Sequence, residues 1–285
     1  MEGGYFTLAD YWADAAPNPQ SRAIKACYVG ADAVDRLTAF AREHCGEIAH
    51  IVIDVNTLAA AGDSVHLSLA DVGKHVGETC FGAEPLDATA ELGDEVASDA
   101  EGADFLVGIG AGTISDLAKY AGNKLNRPVL LFPTAASMNG YTSGIVALKV
   151  NGLKRTLPCT PAAGIFADPA VAATAPQRMV AAGIADFLSK CSSATDWRVG
   201  YALRSGYYTE EPRKLFTGTT ERVLCAAQRI GRGETAAYAT VLDALMLSGY
   251  SMVLAGSSAP ASGGEHLISH YLDMKSALYG MPHDL

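Results

Sequence analysis

Three side chains in the second half of the chain have types and spacing that suit metal binding or proton transfer. Asp186 lies in a segment with helical periodicity, and His266 and His270 lie four residues apart in a later one. Residues four apart share one face of a helix, so the spacing allows both histidines to bind one ion, as in a zincin helix. A carboxylate and an imidazole near a cleft suit a divalent metal such as zinc. The alternative is that the two histidines only pack a helix surface.

A glycine-rich turn in the first half of the chain has the form of a phosphate-binding site. The segment FLVGIGAGTISD, residues 105–116, runs from a strand-like run through Gly108, Gly110 and Gly112 into a helix-like one. Glycines let the backbone turn tightly and approach a ligand. We expect Thr113 to cap this helix, whose free N–H groups then face an anion such as a pyrophosphate. The spacing G-x-G-x-G departs from the dinucleotide fingerprint G-x-G-x-x-G, so an ordinary tight turn is the alternative.

Asp54 ends an earlier strand-like run, AHIVID. An acidic side chain at the end of a parallel strand can accept hydrogen bonds from ribose hydroxyls and repels a 2′-phosphate, which favours NAD over NADP. The order along the chain differs from a standard Rossmann unit, in which the acidic residue follows the glycines. The alternative is that Asp54 only begins an Asx turn.

The first half of the chain alternates strand-like and helix-like segments. The sequence predicts strands at residues 26–30, 49–54, 105–109 and 128–132, with a weaker one at 65–69. It predicts helices at residues 33–44, 88–101 and 114–125. Strands that alternate with helices indicate a parallel sheet covered on both faces.

From about residue 176 the apolar residues recur at helical spacing. Helices are predicted at residues 177–203, 212–230, 235–255 and 264–278. We therefore expect a Rossmann-like α/β domain over residues 1–165 that binds NAD, followed by an all-α domain over residues 166–285 that binds metal and substrate. Residues 143–167 are expected to join them, and the cleft between the domains is the expected ligand site.

Composition and charge exclude several classes of function. Of the 285 residues, 49% are hydrophobic, and 31 acidic residues outnumber 21 basic ones to give a net charge of −10. Such a surface repels nucleic acids and anionic membranes. The N-terminus lacks the basic and apolar regions of a signal peptide, and the apolar stretches look too short for a bilayer, so we expect a cytoplasmic protein. The six cysteines form no C-x-x-C pair and are expected to be reduced and mostly buried.

Four sequence motifs occur together in this chain, and the four in order identify a family more specifically than one glycine-rich turn does. They are GAGTISDLAKY at residues 110–120, FPTAASMNGYTS at 132–143, GIADFLSK at 183–190 with TDW at 195–197, and GGEHLISHYLD at 263–273. In this order they resemble the motifs of the sn-glycerol-1-phosphate dehydrogenase family, within the superfamily of iron-containing alcohol dehydrogenases, glycerol dehydrogenases and dehydroquinate synthases. The resemblance extends from about residue 28 to the last residue.

The resemblance implies roles for individual residues. It assigns to NAD(H) the residues Asp54, Gly110, Gly112, Thr113, Ile114, Ser115, Asp116, Thr134, Ala135, Ala136, Ser137 and Ser143. It implies that Asp186 and His266 are metal ligands, that Asp186 and His270 contact substrate, and that these three form the catalytic set. Asn139 takes a position at which relatives carry a substrate-contacting Asp, which keeps a carbonyl acceptor but removes a charge.

The resemblance implies hydride transfer between NAD(H) and the ketone of dihydroxyacetone phosphate, to give sn-glycerol 1-phosphate. One divalent metal, zinc first and nickel or iron as alternatives, would act as a Lewis acid on the small phosphorylated substrate. Two other functions stay open: a glycerol or polyol dehydrogenase with an unphosphorylated substrate, and a non-catalytic nucleotide-binding remnant. Lys154 and Arg155 are candidate partners of a substrate phosphate, with a solvated turn as the alternative. A homo-oligomer is also compatible with the sequence.

One departure from the family pattern concerns the end of the chain. Family members carry a third ligand, a histidine in a Leu-His-Gly segment, and counting from His266 places it just beyond Leu285. We therefore expect the helical domain to be truncated and the chain to bind NAD better than it catalyses. Lys190 follows Asp186 by four residues and shares its helix face, where we expect a surface ion pair, with an offset of the negative charge of the metal site as the alternative.

Overall fold

The computed structural model of the chain describes residues 22–204, 206–216 and 218–279. The strands in this part of the chain are Ala26–Val29 (β1), Ile48–Asp54 (β2), His75–Phe81 (β3), Phe105–Gly110 (β4), Val129–Pro133 (β5), Ile145–Val150 (β6), Leu153–Pro158 (β7) and Gly164–Ala167 (β8). Six of them form one sheet in the order β1-β8-β5-β4-β2-β3. Every neighbouring pair in that sheet is parallel, which confirms the predicted Rossmann-like α/β region.

Four helices cover the two faces of the sheet: Ala33–His44 (α1), Asp63–Asp71 (α2), Ala90–Asp99 (α3) and Gly112–Leu125 (α4). Side chains of β4 alternate between the faces, because successive strand residues point to opposite sides. Phe105, Val107 and Ile109 pack in the core under α1 and α2, whereas Leu106 packs under α3 and α4. At Gly108 a Cβ would lie 2.9 Å from the Ala118 Cβ, so glycine permits α4 to pack closely on β4.

The weaker strand predicted at residues 65–69 is wrong, because these residues lie in α2. Val65 and Leu69 are both fully buried and four residues apart, which is the spacing of one helix face rather than of a strand. A strand that the sequence analysis missed, β3, follows directly. It is the edge of the sheet and mostly exposed, so its sequence, HVGETCF, lacks the continuous apolar run of a buried strand.

The segment at residues 143–167, predicted to be a join, contains three strands. β6 and β7 form an antiparallel hairpin whose turn is Asn151 and Gly152, both with positive φ, as the common two-residue hairpin turn requires. β8 then enters the sheet between β1 and β5. The predicted domain boundary at residue 165 falls inside β8, and we propose that the division between domains lies after this strand.

The second half of the chain is helical, as predicted. Its helices are Pro169–Ala172 (α5), Gln177–Leu188 (α6), Lys190–Arg204 (α7), Glu211–Lys214 (α8), Thr219–Ile230 (α9), Ala237–Ala255 (α10) and Gly264–Tyr279 (α11). Two predicted helices are each divided in the structure. The one at 177–203 divides at Ser189, and the one at 212–230 divides before Gly218, whose φ of 73° is a left-handed conformation that glycine adopts without strain.

α10 has the length and composition of a membrane span, with 19 residues and a mean hydropathy of 1.3. The expectation that the apolar stretches are too short for a bilayer is therefore wrong for this helix. However, 72% of its apolar segment is buried inside the structure, as in the core helix of a globular protein. Length and composition are therefore only weak evidence that this helix spans a membrane.

The six cysteines are all free thiols, as predicted. The expectation that most are buried is wrong, since only Cys27 and Cys159 are buried, whereas Cys80, Cys191 and Cys225 are exposed. Burial raises the pKa of the Cys159 thiol, so this cysteine is a packing residue rather than a nucleophile.

We predict that Asp243→Asn, on α10, stabilises the protein in alkaline but not in acidic solution. Burial raises the pKa of the Asp243 carboxyl from 3.8 to about 6, against the opposing charge of Arg222. The Asp243 carboxyl therefore ionises at a lower pH in the unfolded chain than in the folded protein. The free energy of unfolding consequently falls as the pH rises from 3.8 to about 6. We expect the free energy of unfolding to rise by about 2 kcal/mol at pH 8 and to change little at pH 4. Urea unfolding at both pH values measures this, and no gain at pH 8 would contradict it.

Candidate functional site

The carboxyl edge of the sheet places three predicted cofactor residues at the ends of neighbouring strands. Asp54 ends β2, Gly110 ends β4 and Thr134 follows β5, and these strands are neighbours. After β2 the chain forms β3 on the outer side and returns to form β4 on the inner side. The strand order therefore changes direction between β2 and β4, and ligands of open α/β sheets bind in the crevice at such a point.

The glycine-rich turn leads from β4 into α4 at this crevice. The helix begins earlier than predicted, with Ala111 as its N-cap, and no side chain accepts a hydrogen bond from its first turn. The predicted cap by Thr113 is wrong, because its hydroxyl lies 3.4 Å from the Leu86 carbonyl oxygen instead. The N–H groups of the first turn are therefore capped by no side chain, which suits an anion such as a phosphate.

Asp54 caps the short helical turn Val55–Thr57 at the mouth of the crevice. Its Oδ1 accepts hydrogen bonds from the backbone N–H groups of Asn56 at 2.8 Å and Thr57 at 2.9 Å. The Asx-turn role that the sequence left open is thus present. It also fixes the carboxylate at the end of β2, the position at which the sequence predicts a ribose contact.

Most of the predicted cofactor residues are buried, and among them the polar side chains of Asp116 and Ser143 form hydrogen bonds inside the protein. Asp116 Oδ2 accepts the Ala147 N–H at 3.0 Å, and burial raises the pKa of its carboxyl against the opposing charge of Lys119. Ser143 Oγ lies 3.0 Å from the Ile145 carbonyl oxygen. These contacts hold the end of the 134–143 loop from inside the protein.

Lys119, which the sequence analysis missed, organises the same contacts. Its side chain is fully buried, and Nζ donates to the carbonyl oxygens of Gly140 at 2.8 Å and Ile145 at 2.7 Å and to Ser143 Oγ at 3.1 Å. Asp116 Oδ1 lies 3.9 Å away. The sequence signal for this contact is the spacing of three residues between Asp116 and Lys119, which places the two charges on one face of the helix.

The loop at residues 134–143 is packed between the sheet and the helices of the second half. Tyr141 is fully buried and donates to the Ala135 carbonyl oxygen at 2.7 Å. A Cβ at Gly183 of α6 would lie 2.0 Å from the Ala136 carbonyl oxygen, and one at Gly249 of α10 would lie 2.0 Å from that of Asn139. Both helices therefore pack directly on the loop backbone at glycines.

At the far end of this loop, Asn139 contacts Asp186 on α6. The Asn139 backbone N–H donates to Asp186 Oδ2 at 2.8 Å, and its side-chain amide lies 3.3 Å from Oδ1. The same amide donates to Ser248 Oγ on α10 at 3.1 Å. The loop thus connects the cofactor crevice to the predicted metal ligand.

The structure brings His266 to Asp186, as the predicted metal pair requires. His266 Nε2 lies 3.4 Å from Asp186 Oδ1, and its Nδ1 lies 3.0 Å from Glu265 Oε1. The hydrogen bond to Asp186 raises the pKa of the imidazole, with burial opposing and Glu265 adding to the shift. The His270 ring lies 6.4 Å from that of His266, centroid to centroid.

His270 is in a different electrostatic environment from His266. Burial lowers its pKa, followed by the positive charges of Lys154 and His266. Its Nδ1 is buried and has no hydrogen-bond partner among the described residues. A buried ring nitrogen without a partner is rare, and it suits a group that takes up its partner from a substrate.

Asp186 and His266 fit two positions of a divalent-metal site. A carboxylate oxygen and an imidazole nitrogen that face each other are zinc ligands by type. Across residues 22–204, 206–216 and 218–279, no group of three or more His, Cys, Asp or Glu side chains is placed to hold an ion. The described residues therefore offer two candidate ligands, Asp186 and His266.

Lys190 is not the surface residue that the sequence predicted. Its side chain is 3% exposed, and Nζ donates to the carbonyl oxygens of Asp186 at 2.9 Å and Ala261 at 2.8 Å. The ammonium lies 3.6 Å from Asp186 Oδ1. Burial lowers the pKa of Lys190, with the Asp186 charge opposing. It is a buried counter-charge to the predicted metal ligand.

The β6–β7 hairpin reaches the helix that carries the histidines. Lys154 on β7 lies with its Nζ 3.3 Å from Asp273 Oδ2 on α11. Arg155, the other predicted phosphate partner, is exposed on the same strand. The hairpin thereby brings one cation to the histidine face of α11.

Sequence comparison finds curated relatives that are named glycerol-1-phosphate dehydrogenase [NAD(P)+]. The chain is 33% identical over 258 residues to the glycerol-1-phosphate dehydrogenase [NAD(P)+] of Bacillus velezensis, which covers 88% of this chain and 65% of that protein. It is 34% identical over 223 residues to the corresponding protein of Methanothrix thermoacetophila, with 78% and 62% covered. The chain therefore spans less than two thirds of the length of these curated relatives.

Solved structures share the fold. A glycerol dehydrogenase from Schizosaccharomyces pombe matches with a TM-score of 0.73 and 21% identity over 90% of this chain and 69% of that one. An alcohol dehydrogenase from Oenococcus oeni matches with a TM-score of 0.73 and 16% identity over 91% and 71%.

A family model matches the region that contains the glycine-rich turn, the 134–143 loop and the hairpin. It is the model of the iron-containing alcohol dehydrogenases, and it matches residues 28–176, which is just over half of the chain. Together with the relatives, this match shows that the chain belongs to the iron-containing alcohol dehydrogenase family.

Proposed function

We propose that this protein interconverts dihydroxyacetone phosphate and sn-glycerol 1-phosphate with NAD(H) and a divalent metal. The observation that carries the proposal is the 134–143 loop, which follows β5 at the carboxyl edge of the sheet and contacts Asp186 through the Asn139 N–H, 2.8 Å from Oδ2. A nicotinamide along this loop would lie between the cofactor site and the Asp186–His266 pair. The relatives named glycerol-1-phosphate dehydrogenase support the choice of substrate.

In this proposal the first turn of α4 binds the cofactor pyrophosphate through its backbone N–H groups. Asp54 accepts hydrogen bonds from the ribose hydroxyls. Residues Thr134 to Ser137 line the nicotinamide, and Asp116 and Ser143 support the loop from behind.

Asp186 and His266 would hold the metal, zinc in the first instance and nickel or iron as alternatives. When bound, such an ion supplies a Lewis acid that polarises the substrate ketone. Reduction of that ketone also needs a proton, and we assign its delivery to His270, whose Nδ1 has no partner among the described residues. Lys154, which shares the histidine face of α11 with Asp273, would bind the substrate phosphate.

The test compares two substrates. Zinc-loaded protein is assayed for NADH oxidation with dihydroxyacetone phosphate and with dihydroxyacetone side by side. Turnover confined to the phosphate ester supports the proposal. Equal or better use of dihydroxyacetone would move the assignment to a polyol dehydrogenase, and NADH binding without turnover of either would favour a nucleotide-binding remnant. A cytoplasmic location, a homo-oligomer and the absence of nucleic-acid or membrane partners stay predictions.

Cofactor choice yields a second prediction, on Asp54. Asp54→Ser removes the charge that repels a 2′-phosphate but keeps a hydroxyl that can cap Val55–Thr57. We expect the ratio of NADPH to NADH affinity to rise by about tenfold or more, as the loss of one like-charge contact predicts. Quenching of protein fluorescence by each cofactor measures the two dissociation constants. Asp54→Ala, which loses the cap as well, is the control, and an unchanged ratio in both variants would contradict the assignment.

A further inference from the structure

Glu265 contacts the nitrogen of His266 that faces away from Asp186. Glu265 Oε1 lies 3.0 Å from His266 Nδ1, whereas Nε2 of the same ring lies 3.4 Å from Asp186 Oδ1. The imidazole is thus held between two carboxylates, one at each nitrogen. No role for Glu265 follows from the sequence motifs, where it only precedes the histidine.

The Glu265 carboxylate is itself fixed by two further donors. Oε1 accepts the Gly263 N–H at 2.9 Å, and Oε2 accepts a hydrogen bond from Ser192 Oγ on α7 at 3.1 Å. A Cβ at Gly263 would lie 2.7 Å from the Ser193 Cα, so the turn before α11 packs directly on α7. The position of Glu265 is therefore determined by α7 as well as by its own helix.

This arrangement has a chemical consequence for a histidine that binds an ion. A neutral imidazole carries one proton, and it can bind a metal only through the other nitrogen. The Glu265 contact at Nδ1, 3.0 Å, is shorter than the Asp186 contact at Nε2, 3.4 Å, which favours the proton on Nδ1 and leaves Nε2 free for an ion. Such carboxylate partners orient the ring and strengthen it as a ligand.

We propose that Glu265 is a positioning residue that holds the proton of His266 on Nδ1 and directs Nε2 toward the ion shared with Asp186. This inference rests on the metal site of the proposed function. The competing role is structural, because Glu265 lies in the first turn of α11 and also accepts the Gly263 N–H.

A matched control separates the two roles. Asp196 on α7 accepts the Gly264 N–H at 2.8 Å, so it caps the same end of α11 through another donor. Asp196→Ala should weaken the start of the helix without an acceptor being lost from His266. Glu265→Ala removes the acceptor from Nδ1, and Glu265→Gln keeps a neutral one.

The experiment titrates each full-length variant with Co²⁺ and follows the visible absorption of the bound ion. We expect Glu265→Ala to weaken cobalt binding by about 10- to 100-fold, Glu265→Gln to weaken it less, and Asp196→Ala to leave it within about twofold. NADH affinity should be unchanged in all three, which shows that the sheet and its crevice are intact.

A second readout needs no metal. Ring ¹⁵N shifts of the neutral His266 report which nitrogen carries the proton, and we expect Nδ1 in the parent chain and a shift toward Nε2 in Glu265→Ala only. Parent-like cobalt binding and tautomer in Glu265→Ala would overturn the inference and leave the metal site standing. A parent chain that binds no cobalt would overturn the metal site and the inference together.

Discussion

Replacement of Asp186 by asparagine is expected to abolish metal binding and to lower kcat/KM by at least about 10³-fold. Lewis-acid assistance by a metal contributes several kcal/mol to catalysis, and each 1.36 kcal/mol corresponds to roughly a factor of ten in rate. Asp186 is the carboxylate that faces His266 Nε2, at 3.4 Å, and it receives the Asn139 N–H at 2.8 Å. An asparagine has the same size but is a neutral, weaker ligand. Cobalt titration and NADH oxidation measure the two effects separately.

The same substitution should also reduce stability, for a reason unrelated to catalysis. It neutralises the partner of Lys190, whose buried ammonium lies 3.6 Å from Asp186 Oδ1. A buried charge without a counter-charge costs about 3 kcal/mol or more of unfolding free energy. The two hydrogen bonds from Lys190 Nζ to carbonyl oxygens remain in the variant and reduce this cost. The double variant Asp186→Asn/Lys190→Met removes both charges. We expect it to regain stability in urea unfolding but no metal binding, whereas cobalt binding by either variant at the parent level would show that the ligand is elsewhere.

Lys119→Met is expected to have the second-largest effect. The substitution removes donors from the Gly140 and Ile145 carbonyl oxygens and from Ser143 Oγ, and it leaves Asp116 buried without its nearby cation. Breaking a buried pair in this way costs about 3–5 kcal/mol of unfolding free energy. Because the lost bonds anchor the end of the 134–143 loop, we also expect NADH to bind at least about tenfold more weakly, which corresponds to roughly 1.4 kcal/mol.

Two comparisons isolate the role of the loop. Leu69→Ala opens a cavity in the core under α2, away from this loop, at a similar cost of about 2–5 kcal/mol. NADH affinity should be preserved in that variant. Lys119→Met/Asp116→Asn leaves no unpaired charge and should recover part of the stability but not the affinity. Equal losses of NADH affinity in Leu69→Ala and Lys119→Met would mean that the anchor has no specific role.

The sequence by itself determined the architecture wherever local periodicity is strong. The apolar, β-branched run before Asp54 and the FLVGI run before the glycine turn are strands that are buried on both faces, and such strands read as continuous apolar segments. The helical spacing after residue 176 likewise predicted the second half. The pairing of Asp186 with His266 was implied by the family resemblance, and the structure places the two side chains together.

Other features depend on contacts between distant segments, and only the tertiary structure decided them. β3 lies at the edge of the sheet, where none of its seven residues is buried, and β8 is only four residues long yet lies inside the sheet. Local sequence patterns predict neither the edge position of β3 nor the interior position of β8, because the strands that pair with each of them lie tens of residues away in the sequence.

Burial of charge was the property that the sequence could not decide. Lys190 is buried because Ala261, 71 residues later, accepts its hydrogen bond, and Lys119 is buried because Ile145, 26 residues later, does the same. A lysine of identical type and local setting would be exposed without those acceptors, since an ammonium enters the interior only where it is paired and hydrogen-bonded. Helix periodicity placed each lysine on its helix, and the packing of separate elements determined that each would hold the candidate site together.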